Sequence, residues 1–391
     1  MKLDLALIGG KVITPFREVK NGGVTITENK IYEVGKVKDL DLNNCDEVID
    51  VSDKIVVPGF IDLLVHGGGG FGFSDEVEKH YHEISNYFLR HGSTTMLASL
   101  HAKPWEKLLN DLRSVAKYIR ENPSSNIKGI HMEGPYLNKE LKGAMNEDYL
   151  LQPSVETFYE MYDAADGLMR IMTIAPELPN AMDVIREASF RGVVVSLGHS
   201  TATYEQIDLA IDNGATHVTH IFNAMNSLHH RKPSLLAGSL LRDELKIQLI
   251  ADNFHVHPAI MELLMKVKTH KGIVLITDSI RAGGMHNNSE TQFSDQKVFY
   301  KDQKATLADG TLAGSTLTLN YAVKNIVENT GAKLTDAVRM ASLNGSKVIG
   351  ASRGILASGK VADIVVMNKD YEVELTIIGG KIKYKKSADG N

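Results

Sequence analysis

Residues 127–135 read Ile127-Lys128-Gly129-Ile130-His131-Met132-Glu133-Gly134-Pro135, an apolar run that ends on a carboxylate and is broken by Gly-Pro. Side chains alternate along a strand, so His131 and Glu133 share a face, and the Gly-Pro pair marks a turn. Working outward, seven more apolar, β-rich runs recur, at 60–66, 94–100, 170–175, 193–199, 216–222, 246–252 and 272–278. Helical patterns at 76–90, 105–120, 181–191 and 204–213 separate most of them. Strands alternating with helices imply βα units and a parallel sheet. Eight such units over about 220 residues match a (β/α)8 TIM-like barrel in count and length, with a doubly wound open sheet as the competing arrangement. Further helical patterns at 319–328 and 335–349 would close the barrel, and the polar, turn-rich stretch 286–310 reads as a surface insertion.

The flanks have a different character. Leu5-Ala6-Leu7-Ile8, Lys11-Val12-Ile13-Thr14 and Gly22–Ile26 read as short strands, with Gly9-Gly10 between the first two as a tight hairpin. Thr376-Ile377-Ile378-Gly379-Gly380-Lys381-Ile382 echoes that pattern near the other end. The expected organisation is a small β-sandwich domain formed by the N- and C-terminal segments, 1–57 and 351–391, around a catalytic barrel of 58–350.

Composition narrows the chemistry. The 391 residues carry 43 Lys+Arg against 48 Asp+Glu, a net charge of −5, which argues against a nucleic-acid partner. Hydrophobic content of 43% and charged content of 23% are those of a soluble globular protein. The single cysteine, Cys45, excludes an intrachain disulfide and thiol-cluster metal sites, so any metal must be held by His, Asp or Glu. No apolar stretch approaches the roughly 20 residues of a membrane span, and the first residues do not read as a leader. No membrane association and a cytoplasmic location are the expectations.

Catalytic residues of such barrels sit at the C-terminal ends of the strands. His66 ends the first run, Glu133 the third, His199 the fifth and Asp278 the eighth; His220 lies near the end of the sixth and His255 just beyond the seventh. Any single one of the 15 His is more often structural than functional, and His80, His82, His91, His101 and His270 are read that way. The weight lies in the set, because residues tens of positions apart occupy equivalent places. His217 and His220 are three apart and point oppositely in a regular strand, and His220 is nearer the C-terminal end. One carboxylate and two imidazoles from Glu133, His199 and His220 suit Zn²⁺ or another first-row divalent ion, with a position left for water. Asp278 is placed to accept the proton of that water and pass it to a leaving group.

At these residues the sequence resembles the amidohydrolase superfamily and, within it, the N-acetylglucosamine-6-phosphate deacetylases. The resemblance rests on Pro58-Gly59-Phe60-Ile61-Asp62, His131-Met132-Glu133-Gly134-Pro135-Tyr136-Leu137-Asn138, Gly198-His199-Ser200 and Thr219-His220-Ile221-Phe222-Asn223-Ala224-Met225. Thr277-Asp278, Leu312-Ala313-Gly314-Ser315 and Gly359-Lys360-Val361-Ala362-Asp363 extend it over nearly the whole chain. It implies a metal-dependent hydrolase that removes acetate from N-acetylglucosamine 6-phosphate by attack of metal-bound water, with metal ligation by Glu133, His199 and His220 and with Asp278 as the acid/base. It implies substrate contacts from Asn223, Ala224, Arg231 and His255, and from Ala144, Met145, Leu312, Ala313 and Gly314. It further implies a homodimer, an amino-sugar phosphate as the small-molecule partner, and zinc as the metal, with iron, cobalt or manganese as alternatives.

Two positions depart from the family pattern. Many superfamily members have His-x-His on the first strand; here the stretch is Leu64-Val65-His66, and Leu64 cannot bind metal. One metal is therefore expected, with His66 assisting catalysis or holding a weak second ion. Met145 stands where the family usually has His or Gln, and a thioether cannot donate a hydrogen bond. That motivates two alternatives: a deacetylase of another N-acyl hexosamine phosphate, such as N-acetylgalactosamine 6-phosphate, or a non-catalytic sugar-phosphate-binding paralogue.

Overall fold

The eight expected barrel runs form eight strands of one sheet. They are β1 (Phe60–Val65), β2 (Ser93–His101), β3 (Ile127–Glu133), β4 (Met169–Ile174), β5 (Val194–Leu197), β6 (Ala215–Val218), β7 (Lys246–Ile250) and β8 (Ile273–Ile276). The structure, a computed structural model, describes residues 2–387. Met1 and residues 388–391, the outer ends of the segments 1–57 and 351–391, lie outside the described residues. The strands pair in chain order from β1 to β8, and each registered pair from β2 to β8 is parallel. The ring closes where Val65 bridges Ser279 in parallel and the Asp278 N–H donates to the Leu64 carbonyl at 2.9 Å. A helix follows every strand, from Glu78–Leu89 after β1 to Leu319–Thr330 after β8. β1 and β2 are buried along their whole length, as strands covered on both faces must be.

By its contacts the chain divides into two units: Met1–Asp62 with Asn86–Thr95 and Thr318–Asn391, and Leu63–Ser85 with Met96–Leu317. In the first, strand Leu3–Ile13 pairs antiparallel with Glu18–Thr27. Its N-terminal part also pairs parallel with Cys45–Asp50, and its C-terminal part pairs parallel with Ile55–Pro58. Ile55–Pro58 leads through Ile364–Met367 and Val373–Ile378 to Lys381–Lys385, so both chain ends build one eight-stranded, branched sheet. Leu7, Val24, Ile26, Val56, Ile364 and Ile377 form part of its buried apolar core.

The hairpin expected at Gly9-Gly10 is not there. Both glycines lie inside strand Leu3–Ile13, where the register with Glu18–Thr27 shifts on either side of Gly10. The chain reverses later, at Thr14–Arg17, where the Thr14 N–H donates to the Arg17 carbonyl. A type I′ hairpin turn needs positive φ at both central positions. Gly9 has φ +86° and Gly10 has none, which makes a bulge, whereas Gly379 and Gly380, at +53° and +77°, do form the turn into Lys381–Lys385.

The insertion after β8 is a three-stranded antiparallel sheet, Ser289–Phe293, Gln296–Lys301 and Lys304–Thr306. It was expected at the surface, and most of it is there. Its first turn reaches the candidate site.

Candidate active site

Glu133 is the last residue of β3, and the candidate metal ligands face one another across the strand ends. Glu133, His199 and His220 are all buried, and one ligand atom from each lies within 4.8 Å of the others. His220 Nε2 is 3.1 Å and His199 Nε2 is 3.5 Å from Glu133 Oε1, and the two imidazole nitrogens are 3.0 Å apart. The hydrogen bond at the other side of one ring identifies its tautomer. His199 Nδ1 lies 2.8 Å from the Leu141 carbonyl, which only accepts, so Nδ1 carries the proton and Nε2 presents a lone pair.

This donor set fits a divalent metal. Lone pairs that converge at 3.0–3.5 Å repel unless a cation or a proton lies among them. Zinc–N and zinc–O bonds of about 2.0–2.2 Å place neighbouring tetrahedral donors about 3.3–3.6 Å apart. The carboxyl of Glu133 is correspondingly anionic. Burial pushes it up, but the His199, His220 and His66 imidazoles around it outweigh burial and hold it well below its ordinary value.

His66, one residue beyond β1, donates from Nδ1 to the Ser99 carbonyl at 3.1 Å and turns Nε2 to Glu133 Oε2 at 3.1 Å. The Glu133 carboxylate is thus shared, with Oε1 toward His199 and His220 and Oε2 toward His66. Asp278 Oδ1 is 3.5 Å from the same His66 Nε2. Burial, then the nearby Glu133 charge, pushes Asp278 above the usual carboxylate value, against the opposing pull of His66, His220 and His255. Leu64 is buried and contributes no ligand beside His66.

The backbone at these positions is strained. His199, His220 and Asp278 have φ of +49°, +27° and +52°, and Phe222 and Ala224 lie at +76° and +48°. Each such residue costs roughly 1–3 kcal/mol and persists where the surroundings over-determine it. Part of that support comes from Glu177, beyond β4. It accepts from Ser200 Oγ at 2.6 Å, from the Thr201 N–H at 2.6 Å and from Asn138 Nδ2 at 2.8 Å, clamping the turns after β3 and β5 together. The Asn138 N–H also donates to the His199 carbonyl, and a Thr203/Gln206 capping box starts the next helix.

Below the ligands lies a layer of buried polar side chains. His131 Nδ1 donates to the Leu63 carbonyl, and burial lowers its pKa to about 4, so its Nε2 must accept from Thr173 Oγ1 at 2.8 Å. That sets the direction of the rest: Ser196 donates to Thr219 and Thr219 to Thr173. His217 lies within β6, three residues before His220, is buried, and has its pKa lowered to about 3 by burial, then by the nearby His131 and Lys246.

A cleft of about 360 Å³ opens above Glu133, His199 and His220. His66, Asp278, Ala144, Met145, Asn223, Ala224, His255, Leu312 and Gly314 also line it. His255 is oriented by Asp252, whose Oδ2 is 2.7 Å from Nδ1. Two of the expected contacts lie apart: Ala313 is fully buried beside Ile280 and Ala282, and Arg231 is exposed, with Nη1 2.8 Å from His230 Nε2. Leu141, Gly143 and Phe293 line the cleft without having been singled out in the sequence. His101, read as structural, stands edge-on to His66 with ring centroids 5.7 Å apart.

A barrel with a buried carboxylate–imidazole set at the strand ends, able to hold a metal, and a second carboxylate beside it has the architecture of a metal-dependent hydrolase. Residues 55–383 match the model of the amidohydrolase family, and the chain belongs to that family. It is 32% identical to N-acetylglucosamine-6-phosphate deacetylase of Bacillus subtilis, over 97% of each chain. It is also 32% identical to N-acetylgalactosamine-6-phosphate deacetylase of Escherichia coli O157:H7, over 84% of this chain and 88% of that one. Among solved structures, N-acetyl-D-glucosamine-6-phosphate deacetylase of Mycobacterium smegmatis, in complex with N-acetyl-D-glucosamine-6-phosphate, superposes with a TM-score of 0.91 at 31% identity. That match covers 98% of this chain and 99% of the other.

Proposed function

We propose that this chain hydrolyses the amide of N-acetylglucosamine 6-phosphate, giving acetate and glucosamine 6-phosphate. The observation that carries the reading is the convergence of Glu133, His199 and His220 beside Asp278 in one cleft. Glu133, His199 and His220 would hold one divalent ion, zinc in the first instance, which supplies Lewis-acid polarisation of the amide carbonyl and lowers the pKa of water. Asp278 accepts the proton of the attacking water as its carboxylate and returns it to the departing sugar amine, so the C–N bond breaks to a neutral amine. His66, fixed by Ser99, turns Nε2 toward the carboxylates of Glu133 and Asp278 and orients both. Asn223, the backbone of Ala224 and His255 hold the sugar phosphate on the far rim, and Arg231 adds charge to the phosphate from the exposed loop. Ala144, Met145, Leu312 and Gly314 complete the walls, with Ala313 packed behind them.

In this reading 58–350 is the catalytic barrel and 1–57 with 351–391 the small β-domain of a cytoplasmic homodimer. No helix of the described residues is long and apolar enough to cross a membrane. Met145, 2% exposed and on the cleft wall, has a thioether that cannot donate to a hydroxyl or amide, and this motivates a direct comparison with the galacto epimer. Acetate release measured on both epimers, with metal content determined on the same sample, tests this reading. Preferred turnover of the gluco substrate with about one metal per chain is the expected result. No acetate from either epimer after loading with Zn²⁺, Co²⁺ or Mn²⁺ would remove the deacetylase reading.

A further inference from the structure

In a ring of eight strands taken in order, the sixth faces the second. The donors assigned to the sugar phosphate, Asn223, Ala224 and His255, follow β6 and β7, while His101 ends β2 on the opposite side of the mouth. An N-acyl sugar with its carbonyl at Glu133, His199 and His220 and its ring over β6 and β7 therefore points its acyl chain toward β2.

What it meets there is a ring supplied by the insertion. Phe293 stacks on His101 with centroids 4.5 Å apart and planes 29° from parallel, and it stands edge-on to His66 at 5.2 Å. Burial holds His101 neutral at physiological pH, with a pKa lowered to about 3, so the stack is apolar. Phe293 also packs against the cluster that contains Met145. The turn that carries it is tied to the segment 144–149. The Asn146 N–H donates to Ser294 Oγ at 3.0 Å, Tyr149 Oη to Asp295 at 2.9 Å, and Gln296 Nε2 to the Ala144 carbonyl at 2.7 Å. Behind the ring is a second cavity, lined by Lys103 and Arg281, which shares only His66 and Phe293 with the reaction cleft.

We propose that Phe293 sets the acyl specificity of this enzyme: its ring, stacked on His101, closes the acyl end of the cleft one methyl group beyond the scissile carbonyl. The inference rests on the deacetylase reading above and deepens it. The wall is a fixed side chain and not a mobile flap, because three hydrogen bonds anchor its turn. Removing the ring joins the cleft to the cavity behind and makes room for a longer chain.

The test is kcat/KM for the N-acetyl, N-propionyl, N-butyryl and N-hexanoyl derivatives of glucosamine 6-phosphate, in the wild-type protein, Phe293→Ala and Phe293→Leu. An apolar pocket discriminates by roughly 10–200-fold per methylene. The wild-type protein should therefore lose activity steeply beyond acetyl. Phe293→Ala should raise the butyryl-to-acetyl ratio at least about tenfold, through KM for the longer chains, and Phe293→Leu should raise it less. A merely structural role would lower all substrates together and leave the ratio unmoved. An unchanged ratio in both variants, or a wild-type protein that takes butyryl as well as acetyl, overturns the proposal. Where the alanine variant fails to fold, the leucine variant carries the same expected direction and the same overturning result. Absence of acetate release by the wild-type protein in the same series removes the deacetylase reading itself, so the two failures are distinguishable.

Discussion

Glu133, His199, His220 and Asp278 reach the cleft from the C-terminal ends of β3, β5, β6 and β8, whereas Leu141, Met145, Phe293 and Leu312 reach it from loops and from the insertion. Glu133 is fixed by the sheet itself, and His199, His220 and Asp278 stand two residues beyond β5, β6 and β8. β3 is paired on both sides, to β2 and to β4, so the ladder sets the height and direction of Glu133 to within a fraction of a residue step. The second group is held by a few side-chain hydrogen bonds such as Asn146 to Ser294 and Gln296 to Ala144. The candidate metal ligands and Asp278 therefore sit on or just beyond the paired strands, and the remaining cleft walls sit on loops, the part of a fold most open to change.

That contrast predicts a ranking of substitution effects. The largest belong to the strand-borne ligands: Glu133→Gln, His199→Ala or His220→Ala should abolish bound metal and reduce activity to background while the barrel stays folded. Metal analysis and circular dichroism on the same samples check this, and a variant that keeps its metal and turns over normally would break the division. Asp278→Asn comes next. It should keep the metal but lower kcat by about 10²–10⁴-fold, the usual contribution of a positioned acid/base.

The pH profile gives a sign for the same residue. In the proposed role Asp278 is ionised when it accepts the water proton, so activity should be lost as pH falls through its pKa and retained above it. Burial and Glu133 raise that pKa from its ordinary 3.8, while a bound cation lowers it. An acid limb in wild-type kcat/KM, missing from the residual activity of Asp278→Asn, is the expected outcome.

Loop-borne contacts should cost least. Arg231→Ala should raise KM for the phosphorylated sugar by about tenfold or somewhat more, the value of one charged hydrogen bond, with kcat nearly unchanged. An equal effect on a non-phosphorylated N-acetyl sugar would show that Arg231 does not serve the phosphate.

The strand-borne group was also the readable one. An apolar run ending in His, Glu or Asp marks both the strand and its C-terminal end, and that position separates His220, beyond β6, from His217 within it. Readings failed where the answer depended on distant partners. Gly9-Gly10 and Gly379-Gly380 look alike in sequence. Which pair turns the chain and which bulges is decided by Glu18–Thr27, Cys45–Asp50 and Ile55–Pro58, which pair with strand Leu3–Ile13 and carry it past its glycines. Glu177 is an ordinary loop carboxylate until Asn138, Ser200 and Thr201 close around it. Phe293 lies in a polar stretch that reads as surface, and His101 was one histidine among many.

The sequence by itself determined the barrel, the small β-structure made from both ends, and the set of Glu133, His199, His220 and Asp278, because period and strand-end position are local properties. Only the tertiary structure decided which nitrogen of His199 faces the ligand set, that Arg231 lies outside the cleft, and that Phe293 closes it at β2. Those facts depend on contacts between segments tens to hundreds of residues apart, and no local pattern records such contacts.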